Sequence, residues 1–191
     1  MQLPKDVQKI INAQIPKLLR VPFEKALQEK FETLKKQMID EFLNHPISKE
    51  ISDGPTASNS SGCLGGYGNL FSFIGFEEDD EPLKPILEQL QATNFKYSGE
   101  IASGVKFSII LPTAKEIFEV TPMPWASGRS WAQGIESGIS GLGFYLKLKS
   151  KNSRSGEAIQ TSVKGSARRF KNQQYISVLI NKYTNLFAQL K

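Results

Sequence analysis

One cysteine and one histidine among 191 residues remove several classes of chemistry at once. Cys63 has no partner for an internal disulfide, and together with His45 it offers too few soft ligands for a zinc centre. No cofactor or metal is therefore expected. Nor does any window reach the roughly 18 apolar residues that a membrane-spanning helix needs, so no membrane partner is expected. The opening MQLPKDVQKIINAQIPKLLR carries Asp6, Pro4 and Pro16 and has no unbroken apolar core, which argues against a signal peptide. What remains is 39% hydrophobic and 23% charged. That balance is compatible with one folded domain over 1–191, made of a helical arm at 1–21 and a core at 22–191 with long loops at 53–68 and 150–172.

Charge is unevenly placed. Residues 1–50 hold nine Lys/Arg and seven Asp/Glu, residues 51–120 hold four and ten, and residues 121–191 hold eleven and two. A basic third raises nucleic acid as a partner. Opposite poles on one chain equally suit contact between copies or neighbours.

The clearest element is a helix over Pro22–Phe42. Phe23, Leu27, Phe31, Leu34, Met38 and Phe42 recur at steps of four and three, with Glu32 and Lys36 as one flanking pair. A shorter helix over Lys5–Leu19 is expected before it, broken near Val21-Pro22, and Asn44-His45-Pro46 should end the second. Asp53–Gly68 reads as a glycine-rich loop and Asn69–Phe76 as a strand. Leu83–Leu90 has helical spacing, Phe95–Tyr97 and Val105–Leu111 alternate as strands, and Thr113–Phe118 reads as a brief helix or turn. A further helix is expected from Arg129, through Trp131, Ile135 and Ile139, stopped by Gly141 and Gly143. Then come a strand at Phe144–Leu148, a basic loop at Asn152–Arg169 and a closing helix at Tyr175–Leu190. The order predicts an α+β fold: a small twisted, mostly antiparallel sheet with a long N-terminal helix, short middle helices and a C-terminal helix.

Candidate chemistry is sparse. GCLGGYG at Gly62–Gly68 lacks the Lys-Ser/Thr end of a phosphate-binding loop. Cys63 as a nucleophile has only His45 as a possible base, and His45 reads as a helix-end residue favoured by the dipole. Glu77, Glu78, Asp79, Asp80 and Glu81 are consecutive and cannot converge on a cation as alternating ligands do. Glu116, Glu119 and Glu136 have no acid/base spacing. Trp125 and Trp131, with Arg129 between them, could stack on bases, but beside glycines and prolines they read better as anchors of a core or interface. Arg154, Lys164, Arg168, Arg169 and Lys171 are the stronger nucleic-acid candidates, since spaced cations neutralise phosphates without fixed geometry.

The long charged N-terminal helix, the GYGNLFSFIGF segment (Gly66–Phe76), TPMPWASGRSWAQGIESGISGLG (Thr121–Gly143) and RRFKNQQYISVLINKY (Arg168–Tyr183) together resemble the tailed-bacteriophage neck and tail-completion proteins, over about Phe23–Leu190. The glycine-arginine-leucine step usual in that family is here Gly68-Asn69-Leu70. Arg168-Arg169-Phe170 resembles the basic-aromatic entry that relatives show before their last helix. The resemblance implies a non-enzymatic virion protein, made in the host cytoplasm and placed at the head-tail junction. It would be a tail terminator or joining protein, ringed with copies of itself as a hexamer, meeting connector and tail-tube proteins around the DNA channel. In such a ring the acidic run Glu77–Glu81 would face the basic residues Arg154, Lys164, Arg168, Arg169 and Lys171 of a neighbour, and Tyr67, Phe71, Phe73, Trp125, Arg129 and Trp131 would anchor loops or interfaces. A small nucleic-acid-binding protein using 147–171, and a cysteine hydrolase using Cys63 and His45, are the rival readings.

Overall fold

The computed structural model describes residues 4–65, 68–101, 104–138 and 170–190. Helix α1 runs without a break from Lys5 to Asn44. The expected interruption at Val21-Pro22 does not occur. Each interior proline removes one helical hydrogen bond, and in a stretch with exposed side chains water can satisfy the carbonyl left over. The helix ends where Pro46 forces His45 into extended backbone, φ −62° and ψ 138°. Pro46 then opens helix α2, Pro46–Ser52, at the first helical position, where a missing N–H costs nothing.

The body half of α1 follows its heptad-like spacing. Phe31, Met38 and Phe42 are at most 2% exposed. They join Ile47 and Ile51 of α2, and Leu179, Ile180, Tyr183 and Phe187 of the C-terminal helix, in one core. Burying each such side chain contributes about 1.5–3 kcal/mol.

The segment expected as a strand at Asn69–Phe76 is instead helix α3, Leu70–Ile74. Its caps decide the matter. The Asn69 side chain accepts from the Ser72 N–H at 2.9 Å, and Gly75 closes the helix in the left-handed region at φ +93°. The preceding 53–65 stretch is no open loop, since it holds a 3-10 turn at Gly54–Thr56 and buries Ser61, Cys63 and Leu64.

Helix α4, Lys84–Gln91, leads into an antiparallel hairpin of β1, Asn94–Ile101, and β2, Gly104–Ile110, as the alternation predicted. Phe95 and Phe107 stack across it at 5.0 Å, and Phe95 meets Phe31 at 5.7 Å. Helix α5, Ala114–Glu119, carries a full capping box between Thr113 and Glu116. A second small hairpin, β3 at Pro122–Met123 and β4 at Ala126–Ser130, precedes helix α6, Trp131–Ser137. Helix α7, Ile176–Ala188, closes the described chain. The fold is α+β, with two separate two-stranded antiparallel sheets among the described residues in place of one. The expected strand at Phe144–Leu148, the basic loop at Asn152–Arg169, Gly141 and Gly143 lie outside the described residues, but α6 already stops at Ser137, capped by Gly138 at φ +95°, short of the expected end at Ile139.

Candidate assembly surface

The two glycine-aromatic segments meet each other inside the body. Trp125, in the turn between β3 and β4, donates from Nε1 to the Ile74 carbonyl at 2.7 Å. Its ring closes over Gly75, where an added Cβ would sit 3.2 Å from Trp125 Cδ1. One turn away, Phe76 meets Trp131 edge to face at 5.7 Å, and Phe71 packs on Phe76 at 5.4 Å. Phe71 and Trp131 are buried in this core, while Trp125 and Phe73 are half-buried and Arg129 is exposed. The tryptophans thus pin the β3–β4 hairpin to α3. Phe73 stacks on Phe170 at 5.8 Å, which ties the start of the last described segment to α3. Tyr67 lies outside the described residues.

A buried carboxylate that the sequence reading passed over organises the chain beneath these rings. Glu50 of α2 is fully buried. Its Oε2 accepts the Ser61 N–H at 2.8 Å and its Oε1 accepts the Leu70 N–H at 2.7 Å, the first turn of α3. Charge-assisted bonds to backbone donors and the positive end of α3 compensate the buried charge. Its signal in the sequence is position: Ile47, Glu50 and Ile51 fall at i, i+3 and i+4, on one helix face. Glu136 does similar work, accepting the Ser177 N–H at 2.7 Å and the Ser177 hydroxyl at 2.5 Å, and so caps α7 from outside. Glu116 is spent on its capping box, whose hydrogen bonds from Thr113 hold its carboxyl below the usual range.

Cys63 and His45 are not joined by a hydrogen bond. The thiol is buried, and burial pushes its pKa up, with the charge of Glu50 adding to the effect, the reverse of an activated nucleophile. His45 stands at the end of α1, where the sequence predicts it, and it also opens α2. Its Nδ1 accepts the Ile47 N–H at 3.3 Å, capping α2, which requires neutral imidazole. Burial lowers its pKa, outweighing the pull of Glu41 in the other direction. Among the described residues no cluster of three or more metal-ligating side chains occurs, and no helix is long and apolar enough to cross a membrane.

The acidic run forms an exposed, ordered turn. Asp80 Oδ2 accepts the Glu77 N–H at 2.7 Å, Glu77 accepts the Asp80 N–H at 3.0 Å, and Glu81 pairs with Lys84 at 2.8 Å. Five acidic side chains are thereby held together at the entrance to α4. Of their expected basic counterparts, Lys171 is exposed, with its N–H donated to the Cys63 carbonyl at 2.8 Å. Arg154, Lys164, Arg168 and Arg169 lie outside the described residues.

The other outward feature is α1 itself. Leu27, at 8%, is the first buried side chain among its described residues. Before it, every described side chain from Pro4 to Ala26 is exposed except half-buried Glu24. Val7, Val21 and Phe23 stand 39%, 71% and 51% exposed. Just beyond, Ala26, Glu29, Lys30, Thr33, Leu34 and Gln37 of α1 and Leu190 after α7 line a mainly apolar groove of about 510 Å³. At the far end of the body, α1 is tied to α7 by Glu41, which takes bonds from Lys182 Nζ at 2.6 Å and the Tyr183 hydroxyl at 2.9 Å. No known protein-family model, curated protein or solved structure matches this chain.

Proposed function

We propose that this chain is a structural component of a tailed-bacteriophage neck, a tail terminator or head-to-tail joining protein that forms a ring of copies, hexameric in this reading, around the DNA channel. The observation that carries an assembly role is the half of α1 that leaves the body. A helix with two interior prolines, whose described side chains before Leu27 are exposed apart from half-buried Glu24, is costly to keep ordered alone, because most helix stability in proteins comes from packing. Placement at the neck rests on the resemblance of the four segments named above. The ordered acidic turn at Glu77–Glu81 supplies one pole of a heterologous contact, and Arg154, Lys164, Arg168, Arg169 and Lys171 supply the other.

The test is imaging of particles and of the purified chain, with and without Arg168→Glu and Arg169→Glu together. Rings at the head-tail junction are expected, lost or severely reduced in the double variant. Particles that assemble normally with both charges reversed would remove the contact, and absence of the protein from the junction would remove the neck. Salt-sensitive binding of duplex DNA by a lone subunit would favour the nucleic-acid rival.

A further inference from the structure

We propose that residues 170–190 are exchanged between copies of this chain, so that in the assembled ring each body holds the last segment of a neighbour. The inference deepens the assembly reading and rests on it for the ring. The segment lies on the rest of the chain as a bound peptide does. Ahead of α7 it donates to the body at every second residue: Lys171 N–H to the Cys63 carbonyl at 2.8 Å, Gln173 N–H to the Ile135 carbonyl at 3.1 Å and Tyr175 N–H to Glu136 Oε1 at 3.3 Å. The Gln173 side chain adds a bond to the Ser61 carbonyl. An aromatic anchors each end of this run. Phe170 stacks on Phe73 at 5.8 Å, and Tyr175 lies on Phe42 at 6.0 Å with its hydroxyl 2.6 Å from Ser48 Oγ. Main-chain bonds that give affinity, with side-chain anchors that give specificity, are the means by which proteins take a peptide segment from another chain. Beyond Tyr175, α7 continues the fit, with Phe187 on Phe31 at 5.4 Å and Lys182 on Glu41 at 2.6 Å.

The covalent route to this segment lets another copy supply it. By sequence, residues 139–169 separate Gly138, which caps α6, from Phe170, and a stretch of that length can span up to about 100 Å, several times the width of a small domain. Its two ends nevertheless lie together, since a Cβ added at Gly138 would sit 3.3 Å from the Asn172 side chain. Own tail and neighbour's tail therefore meet the body through the same contacts, and the tether is long enough for either. The effective concentration that a tether gives its own segment falls with tether length, so a body held close by in a ring competes for it. Exchange needs no surface beyond the one already formed within a single copy. Each copy gives its tail and receives another at a different patch, which is the heterologous contact that closes a ring.

Cross-linking of full-length chains decides it. In a Cys63→Ala background one variant carries Phe73→Cys and another Phe170→Cys, half-buried positions on the two sides of the join. Co-expressed, assembled and treated with a short bismaleimide, they are expected to give a heterodimer on a denaturing gel at least about tenfold above the dimer from either variant alone. A chain carrying both cysteines is expected to close within itself as a dilute monomer and to give a ladder of dimers, trimers and larger products once assembled. Glu41→Cys and Lys182→Cys, whose native side chains are 40% and 49% exposed, repeat the test at α7 without touching the core. Exchange links both pairs between copies, so a link at one pair alone, which a surface contact would give, overturns the proposal. So does an assembled protein whose doubly substituted chains close only within themselves, or a chain that gives no heterodimer at its highest soluble concentration. Rings at the head-tail junction with every tail held by its own chain remove the exchange and leave the neck standing. Exchange in a protein absent from the junction does the reverse.

Discussion

Helix α1 is one element with two different reasons to exist. From Leu27 to Phe42 it follows a stripe that the core consumes, with Phe31 against Phe95 and Phe187 at 5.7 and 5.4 Å. From Pro4 to Ala26 it has the same backbone, and its described side chains are exposed apart from half-buried Glu24. The comparison separates the part of the helix that the core holds from the part whose described side chains face outward.

The largest expected effect follows directly. Phe31→Ala should cost about 3–5 kcal/mol, the price of a large buried aromatic. Phe23→Ala, on the same helix eight residues earlier, should change the stability of a dilute monomer by less than about 0.5 kcal/mol. Urea unfolding at low protein concentration measures both. Equal losses would mean that the arm is part of the core and would break the comparison.

How much of this was legible depends on the kind of signal. The body half of α1, α4, the β1–β2 hairpin and α7 are written in periodicity that survives into the structure. LFSFI at Leu70–Ile74 has no period, so its apolar run read as a strand, although Asn69 and Gly75 at its two ends were cap residues in plain view. The continuity of α1 past Pro16 and Pro22 went unread because proline marks a cost and the sequence does not say whether solvent meets it. Glu50 was illegible for another reason: its partners Ser61 and Leu70 are 11 and 20 residues away, and only the fold brings them to it. The partners of Trp125 and Trp131, the Ile74 carbonyl and Phe76, are likewise set by tertiary structure.

A smaller effect sharpens the comparison at the body end of α1. His45 caps α2 as neutral imidazole, and its pKa in the folded chain lies below the ordinary 6.5. The unfolded chain therefore takes up the proton first as pH falls, and stability present above about pH 6.5 drains away below it. Glu41 moves the same way at lower pH. Burial alone would raise its pKa, but the bonds and charge of Lys182 with the bond from Tyr183 hold it below 4.5, so its contribution is lost as acid protonates it. His45→Asn keeps an N-cap acceptor and should flatten the loss between pH 6.5 and 5 while leaving the more acidic part in place. An unchanged profile in thermal melts across that range would remove His45 from the account. The arm should contribute no such step.

The most direct measurement is hydrogen exchange along α1 in the intact protein at two concentrations. Amides of residues 27–42 should be strongly protected throughout. Those of residues 5–22 should exchange rapidly in dilute solution and become protected as the concentration rises, because assembly then covers them. Protection of the arm that is the same at both concentrations, whether high or absent, would contradict the claim that this half of the helix serves assembly.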